Sequence, residues 1–256
     1  MITRRLLALL LCCLAQTGLC RPAGRTVTDM AGRQVTVPDR VERIACLEVL
    51  CYEKLFLLGA ADRVIMMTRT NAPWMLPTNP GQERIRQLPS NPDVEEMLRQ
   101  KVDVVFRTFG YPDPRKIEQL AALGIPVLAS QPVGRIESAE AFIESRKRML
   151  RLFARVLGPA YEARAEAWCA YHDRMVAFVR ARTDAIPPER RVRLFHVRGP
   201  EATQTQGMSS NTYWYGEIAG ADMVVKHNPL HGKGVVSLEE IVRWDPQVIN
   251  VGRFYG

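Results

Sequence analysis

DVEEMLRQKVDVVF at 93–106 and SLEEIVRWDPQVIN at 237–250 are the same passage written twice. Aligned without a gap, each opens on a cap-type residue and an aliphatic. Two glutamates, two more aliphatics and an arginine follow, and each ends in a short β-type run. Helical spacing of the apolar positions predicts a helix feeding a strand in both places. A second echo stands nearby: LGAADRVIM at 58–66 resembles AGADMVVK at 219–226 with one residue deleted. Each half therefore runs helix, Gly-Ala-Asp turn, strand, loop, Glu-Glu helix, strand, which predicts two lobes built on one plan.

Working outward, RTVTDMAGRQVTVP alternates, turns at Ala31-Gly32 and alternates again, as a β-hairpin does. RIACL, DRVIMM, VDVVF and IPVLAS are predicted strands, with EVLCYEKLFLLGA and PRKIEQLAALG as helices between them. TRTNAPWMLPTNPGQERIRQLPSNP is read as loop. Beyond Pro187-Pro188, RVRLFHV, DMVVKH and QVINVG are the predicted strands and YWYGEIAGA a further helix. Strands alternating with helices point to an α/β fold with mainly parallel sheets. Between the halves, almost fifty residues keep helical periodicity, with Ile143, Leu150, Ala154 and Leu157 on one stripe and a break at Gly158-Pro159. This stretch reads as a long rigid interlobe helix. The expected organisation is a leader at 1–20, an N-terminal lobe at 25–135, the connector at 136–186 and a C-terminal lobe at 187–256.

The leader reading rests on MITRRLLALLLCCLAQTGLC, two arginines before an apolar run too short to span a bilayer. Leu19 argues against lipid anchoring at Cys20. The 256 residues are 47% hydrophobic and 24% charged, an ordinary globular composition. Loss of Arg4 and Arg5 with the leader takes the formal charge from +8 to +6. The basic residues are scattered among acids with no lysine or arginine block, so nucleic acid is not an expected partner. Of the mature cysteines, Cys46 and Cys51 either pair or stay as buried thiols. The chain lacks GxSxG, a Walker loop, HExxH and GxGxxG after a strand, and an enzyme is not expected; a secreted α/β enzyme is the weaker alternative.

Ser237 with Glu240 reads as a capping box, and so does Asp93 with Glu96. Glu95 and Glu239 have no such local work. For either alone, a surface acid favoured by the helix dipole is the plain reading. Their matched placement suggests a pair of carboxylates facing a two-fold partner that carries arginines.

Taken together, TDMAGRQVTVP, the LGAADRVIM turn, the two Glu-Glu units and the interlobe helix resemble the metal-chelate class of periplasmic substrate-binding proteins. These serve ABC importers of siderophores, haem, cobalamin and some oxyanions. The resemblance implies a monomer working with an inner-membrane ABC permease dimer and located in the periplasm. It implies no intrinsic cofactor and a cargo that is an iron, cobalt or other metal chelate, with a molybdate-like oxyanion or a bare metal ion as the alternative. By motif position it implies that Glu95 and Glu239 dock on the permease. Such proteins continue beyond the strand matching QVINVG, whereas this chain stops at RFYG, and the expectation is a C-terminal lobe without its last cover.

Ligands of open α/β sheets bind beyond the carboxyl ends of the strands. The loops there supply Arg69, Trp74, Arg107, Tyr111, Arg198, Tyr213 and Trp214 as candidate cargo contacts, with Phe109 and Arg135 beside them. Arginine forks suit oxyanions and carboxylates, and aromatic faces suit organic chelates. Tyr111, between Gly110 and Pro112, is the leading single candidate. His227 and His231 are weaker candidates for metal, because Pro229 between them forbids the helical geometry that makes a four-residue spacing a metal signature. His172 and His196 are expected to be structural.

Overall fold

The computed structural model describes residues 24–69, 77, 79–88, 93–108, 114–228, 230 and 232–252. Strands β1 (Gly24–Thr28) and β2 (Gln34–Pro38) form the antiparallel hairpin. Asp29 in its turn is buried, and its carboxylate is satisfied three ways. It pairs with Arg33 at 2.7 Å, accepts the Ala31 and Arg33 amides, and accepts the Ala129 amide from the neighbouring sheet. A buried charge is tolerable only with this kind of compensation.

The N-terminal lobe follows: β3 (Ile44–Cys46), α1 (Val49–Leu57), β4 (Val64–Thr68), β5 (Arg86–Leu88), α2 (Val94–Arg99), β6 (Val104–Arg107), α3 (Pro114–Ala122) and β7 (Val127–Ala129). The sheet order is β5-β4-β3-β6-β7 and every pairing is parallel. Strands β3, β6 and β7 are buried throughout, as expected of a parallel sheet covered on both faces. Alternate residues divide between two cores. Ile44, Cys46, Val104 and Phe106 join one that includes Tyr52, Leu55 and Phe153; Ala45, Val105 and Val127 join another that includes Met97 and Leu120.

The connector is two helices, α4 (Ala139–Leu157) and α5 (Glu162–Thr183), rather than one long rod. Gly158 takes φ 113° and ψ 171°, a conformation closed to side-chain-bearing residues, and Pro159 starts a one-turn 3-10 segment. The chain then doubles back. Glu140–Arg180, Lys147–Asp173 and Arg151–Glu166 pair across the two helices, which fixes their antiparallel sense. Both helices bridge the lobes: Phe142 of α4 packs in the C-terminal core while Leu150, Phe153 and Leu157 pack in the N-terminal one. Ala165 and Trp168 begin α5 against the N-terminal core, and Val176 and Val179 end it against the C-terminal core.

In the C-terminal lobe come β8 (Arg193–Val197), β9 (Gln204–Gln206), α6 (Asn211–Ile218), β10 (Asp222–Met223), β11 (Lys233–Val235), α7 (Leu238–Trp244) and β12 (Val248–Val251). Strand β8 is flanked by β10 and β12, both parallel to it, just as β3 is flanked by β4 and β6. The duplicated plan therefore holds in topology. DMVVKH is only partly strand, since Val224–His227 turns into a 3-10 segment. The short strands β5, β9 and β11 lie in stretches that read as loop.

The two Glu-Glu helices end alike. Lys101 and Asp245, at the same position of the repeat, both take positive φ, 50° and 45°. Their starts differ. Ser237 and Glu240 complete a reciprocal capping box on α7. On α2, Asp93 accepts the Glu95 amide and Glu96 does not reach back. Arg86 at 2.7 Å and Arg99 hold the Glu96 carboxylate instead, so the second capping box is absent.

Candidate functional site

Register brings the carboxyl ends of β3, β6 and β7 level, with Cys46 beside Phe106 and Phe106 beside Leu128. The residues that follow these strands supply a cluster of polar side chains. Glu48 has the extended backbone of a helix N-cap, φ −153° and ψ 150°, yet its side chain caps nothing. The carboxyl turns instead to the ends of the adjoining strands. Its Oε1 lies 2.7 Å from Ser130 Oγ, and its Oε2 accepts the Gln131 side-chain amide, with Thr108 Oγ1 at a distant 3.5 Å. Burial raises the Glu48 pKa above the usual carboxylate range against the pull of these hydrogen bonds and of Lys54. A Cys46–Cys51 disulfide closes the loop that carries Glu48, with Cα atoms 5.7 Å apart and both residues fully buried. This settles the choice the sequence left open for those two cysteines.

Arg146 lies between the lobes on α4, 8% exposed. Its guanidinium sits 4.9 Å from the Phe142 ring, which meets Tyr215 of α6 edge-on. Its electrostatic neighbours are Tyr215 from the C-terminal lobe and Glu53 and Glu48 from the N-terminal one. Glu53 is taken up by Lys54 at 3.0 Å. Among the described residues no carboxylate lies within 4.0 Å of the Arg146 guanidinium, and its Nε donates only to Ser145 Oγ at 3.3 Å. Desolvation accordingly lowers its pKa. A buried cation without a counter-ion is costly unless something supplies the charge.

The sequence-named residues fall in several places. Arg107 ends β6, is buried, and has the Arg33 charge as its electrostatic neighbour. Arg198 follows β8, and Arg69 and Arg135 are exposed loop residues. Tyr213 and Trp214 lie in the C-terminal core, packed edge-to-face at 5.0 Å among Ile218, Met223 and Phe142. The phase of α6 turns these two inward and leaves Tyr215 half exposed. Trp74, Phe109, Tyr111 and His231 lie outside the described residues. His227 is exposed at the end of its 3-10 segment, and the described residues contain no group of side chains arranged to hold a metal. His172 stacks on Trp168 and His196 is buried in β8, with burial lowering both pKa values. Glu95 and Glu239 are exposed at the second positions of α2 and α7.

Glu48, Ser130, Gln131, Arg146 and Tyr215 were not singled out from sequence. The signal for Arg146 was present: it stands one turn from Phe142 and from Leu150 on a stripe that is otherwise apolar.

The periplasmic binding protein family matches residues 44–253, most of the chain. The chain belongs to that family. Among curated relatives of this periplasmic binding protein is the molybdate-binding protein MolA of Haemophilus influenzae, 25% identical, with 95% of this chain and 73% of the relative aligned. The molybdate-bound structure of MolA superposes with a TM-score of 0.80 at 23% identity, over 90% of this chain and 74% of the other. An Fe3+-hydroxamate transport protein of Saccharomonospora viridis gives 0.67 at 24% identity, over 89% and 79% of the two chains. The haem-binding protein HmuT, as its H141A mutant, gives 0.66 at 19%, over 90% and 72%. The protein is thus a periplasmic binding protein of an ABC transporter, and its relatives are transport-associated binding proteins rather than enzymes. Membership places it in the periplasm. No helix of the described residues is long and apolar enough to cross a membrane.

Proposed function

We propose that this protein captures a small metal-containing solute, a metal chelate or a metal oxyanion, in the cleft between its lobes and hands it to an inner-membrane permease. The observation that carries the reading is that Glu48, held by Ser130 and Gln131 at the N-terminal strand ends, and Tyr215 of the second lobe are both electrostatic neighbours of Arg146 on the connector. Such convergence of polar groups from two lobes and their bridge is what an interlobe binding site requires. The protein performs no chemistry on its cargo, works as a monomer and reaches the periplasm through cleavage of the leader at 1–20.

An iron-siderophore, haem or cobalamin cargo follows from the resemblance of the sequence to the metal-chelate class. A metal oxyanion is the second reading, favoured by the buried Arg146 without a carboxylate partner and by the molybdate bound in the MolA structure. Native mass spectrometry with metal analysis, on protein purified from its host, separates them. The expected result is one solute per chain containing a metal. A chain that carries no solute and gains none from host periplasmic extract would overturn the reading.

Docking rests on Glu95 and Glu239, the exposed second residues of two matched helices, facing arginines of the two permease subunits. Reversing both charges is expected to abolish uptake while cargo binding stays intact. Uptake that survives the double change would exclude these two acids as the docking points.

A further inference from the structure

Ser130 Oγ makes two short oxygen contacts, 2.7 Å to Glu48 Oε1 and 2.8 Å to the Arg107 carbonyl. Each separation is that of an O–H···O hydrogen bond and needs a proton between the oxygens. Serine brings one proton, and a carbonyl brings none. With Ser130 donating to Arg107, the proton on the other contact must come from the carboxyl. The remaining oxygen, Oε2, then accepts from the Gln131 side-chain amide as the carbonyl of an acid would.

We propose that Glu48 is held as a neutral carboxylic acid donating to Ser130, and that this neutrality leaves Arg146 as the uncompensated charge that selects an oxyanion cargo. This deepens the reading of the cleft given above and rests on it.

Among the described residues, the groups around Glu48 are as follows. Lys54 from its own helix is spent on Glu53, and Thr108, Ser130 and Gln131 from β6 and β7 carry no charge. Arg146 from α4 has Glu48 among its electrostatic neighbours. An ionised Glu48 would set a second negative charge beside Glu53 at the mouth where an anion must enter, and would offset Arg146. The neutral acid removes that repulsion without removing the hydrogen-bonding groups. Neutrality is also what burial favours at this position. The Cys46–Cys51 disulfide closes the loop that carries Glu48, and Ser130 and Gln131 hold its carboxyl at the strand ends.

Two readouts test this on the full mature protein. Infrared difference spectroscopy of wild type against Glu48→Gln at neutral pH reports the carbonyl band of a protonated carboxyl, with no cargo needed. The band is expected in wild type and absent from the variant; its absence from wild type would overturn the neutral acid. Calorimetric titration with molybdate, in two buffers of unlike ionisation heat, tests the selection. Binding is expected without net proton uptake and to fall at least about tenfold in Arg146→Met. Arg146→Lys, which keeps the charge and loses the fork, is expected to fall between. Uptake of one proton on binding, or an Arg146→Met protein that binds as wild type does, would overturn the proposal. Failure of wild type to bind molybdate would overturn the oxyanion assignment alone, because solute capture is judged separately by the cargo of host-purified protein.

Discussion

Matched turns, unmatched burial. In the N-terminal lobe the Asp103 amide donates to the Arg43 carbonyl at 2.8 Å, and Asp103 Oδ2 accepts the Arg43 amide at 2.8 Å. In the C-terminal lobe Gln247 does the same for Arg193, at 2.9 and 3.1 Å. Each arginine also caps the Glu-Glu helix of its own lobe, Arg43 on the Gln100 carbonyl and Arg193 on that of Asp245, both at 2.7 Å. Yet Val104 and Val105 of β6 are fully buried, while their counterparts Val248 and Ile249 of β12 are 44% and 54% exposed. Strand β6 has β7 on its far edge, and Met97 of α2 shares a core with Leu120 of α3. Among the described residues β12 pairs with β8 alone, and none of α7 is buried. Turn geometry is therefore written locally, in residues that recur; burial depends on what packs outside the repeat.

The same alignment, extended from Arg43 and Arg193, sets Glu48 against Arg198 at the ends of the two leading strands. The shared plan thus carries an acid at this position of one lobe and a base at the matching position of the other.

Substitutions can break this comparison, starting from the largest effect. Met97→Ala, at a buried position of α2, is expected to cost about 2–5 kcal/mol in chemical denaturation. Ile249→Ala on exposed β12 is expected to stay within about 0.5 kcal/mol. Equal losses would mean that the two units are equally covered in solution. Next, Ser237→Ala removes a complete capping box and should cost about 1 kcal/mol, with Asp93→Ala nearer about 0.5 kcal/mol. A reversed order would refute the difference in caps. Lys101→Gly and Asp245→Gly relieve the same positive φ and should each add about 0.5–1 kcal/mol. A gain at one position and a loss at the other would break the equivalence of the turns.

The acid that distinguishes the lobes gives a pH signature. Because the folded-state pKa of Glu48 is raised, folding favours its protonated form. Its contribution is complete below the ordinary glutamate pKa and is lost as pH rises through the raised value. Thermal melts of wild type should fall in that direction relative to Glu48→Gln, which does not titrate there. Parallel melting profiles for the two proteins would contradict the shift.

Much of this was legible beforehand. The repeat, the hairpin, the parallel strands and the break at Gly158 all leave local marks: matched spacing, turn residues and continuous apolar runs. What followed the break was not legible, because the antiparallel return of α5 shows only in contacts between residues distant in sequence, such as Arg151–Glu166. Strands β5, β9 and β11 are three residues each and include polar side chains, so no alternation marks them. Glu96 suited a capping box until Arg86, ten positions away, claimed it. The site was hidden for a similar reason. Glu48, Ser130 and Gln131 are ordinary polar residues after apolar runs, and only the strand register aligns them.

The central claim is that cargo sits where the two lobes meet their connector. Hydrogen–deuterium exchange on host-purified protein, with its cargo retained and then stripped, tests it most directly. The account predicts that cargo slows exchange in the amides around 47–51, 130–131 and 213–216, from both lobes at once. Protection confined to one lobe, or centred on the surface groove that Val35, Val37, Ile117 and Ala121 line between β2 and α3, would contradict it.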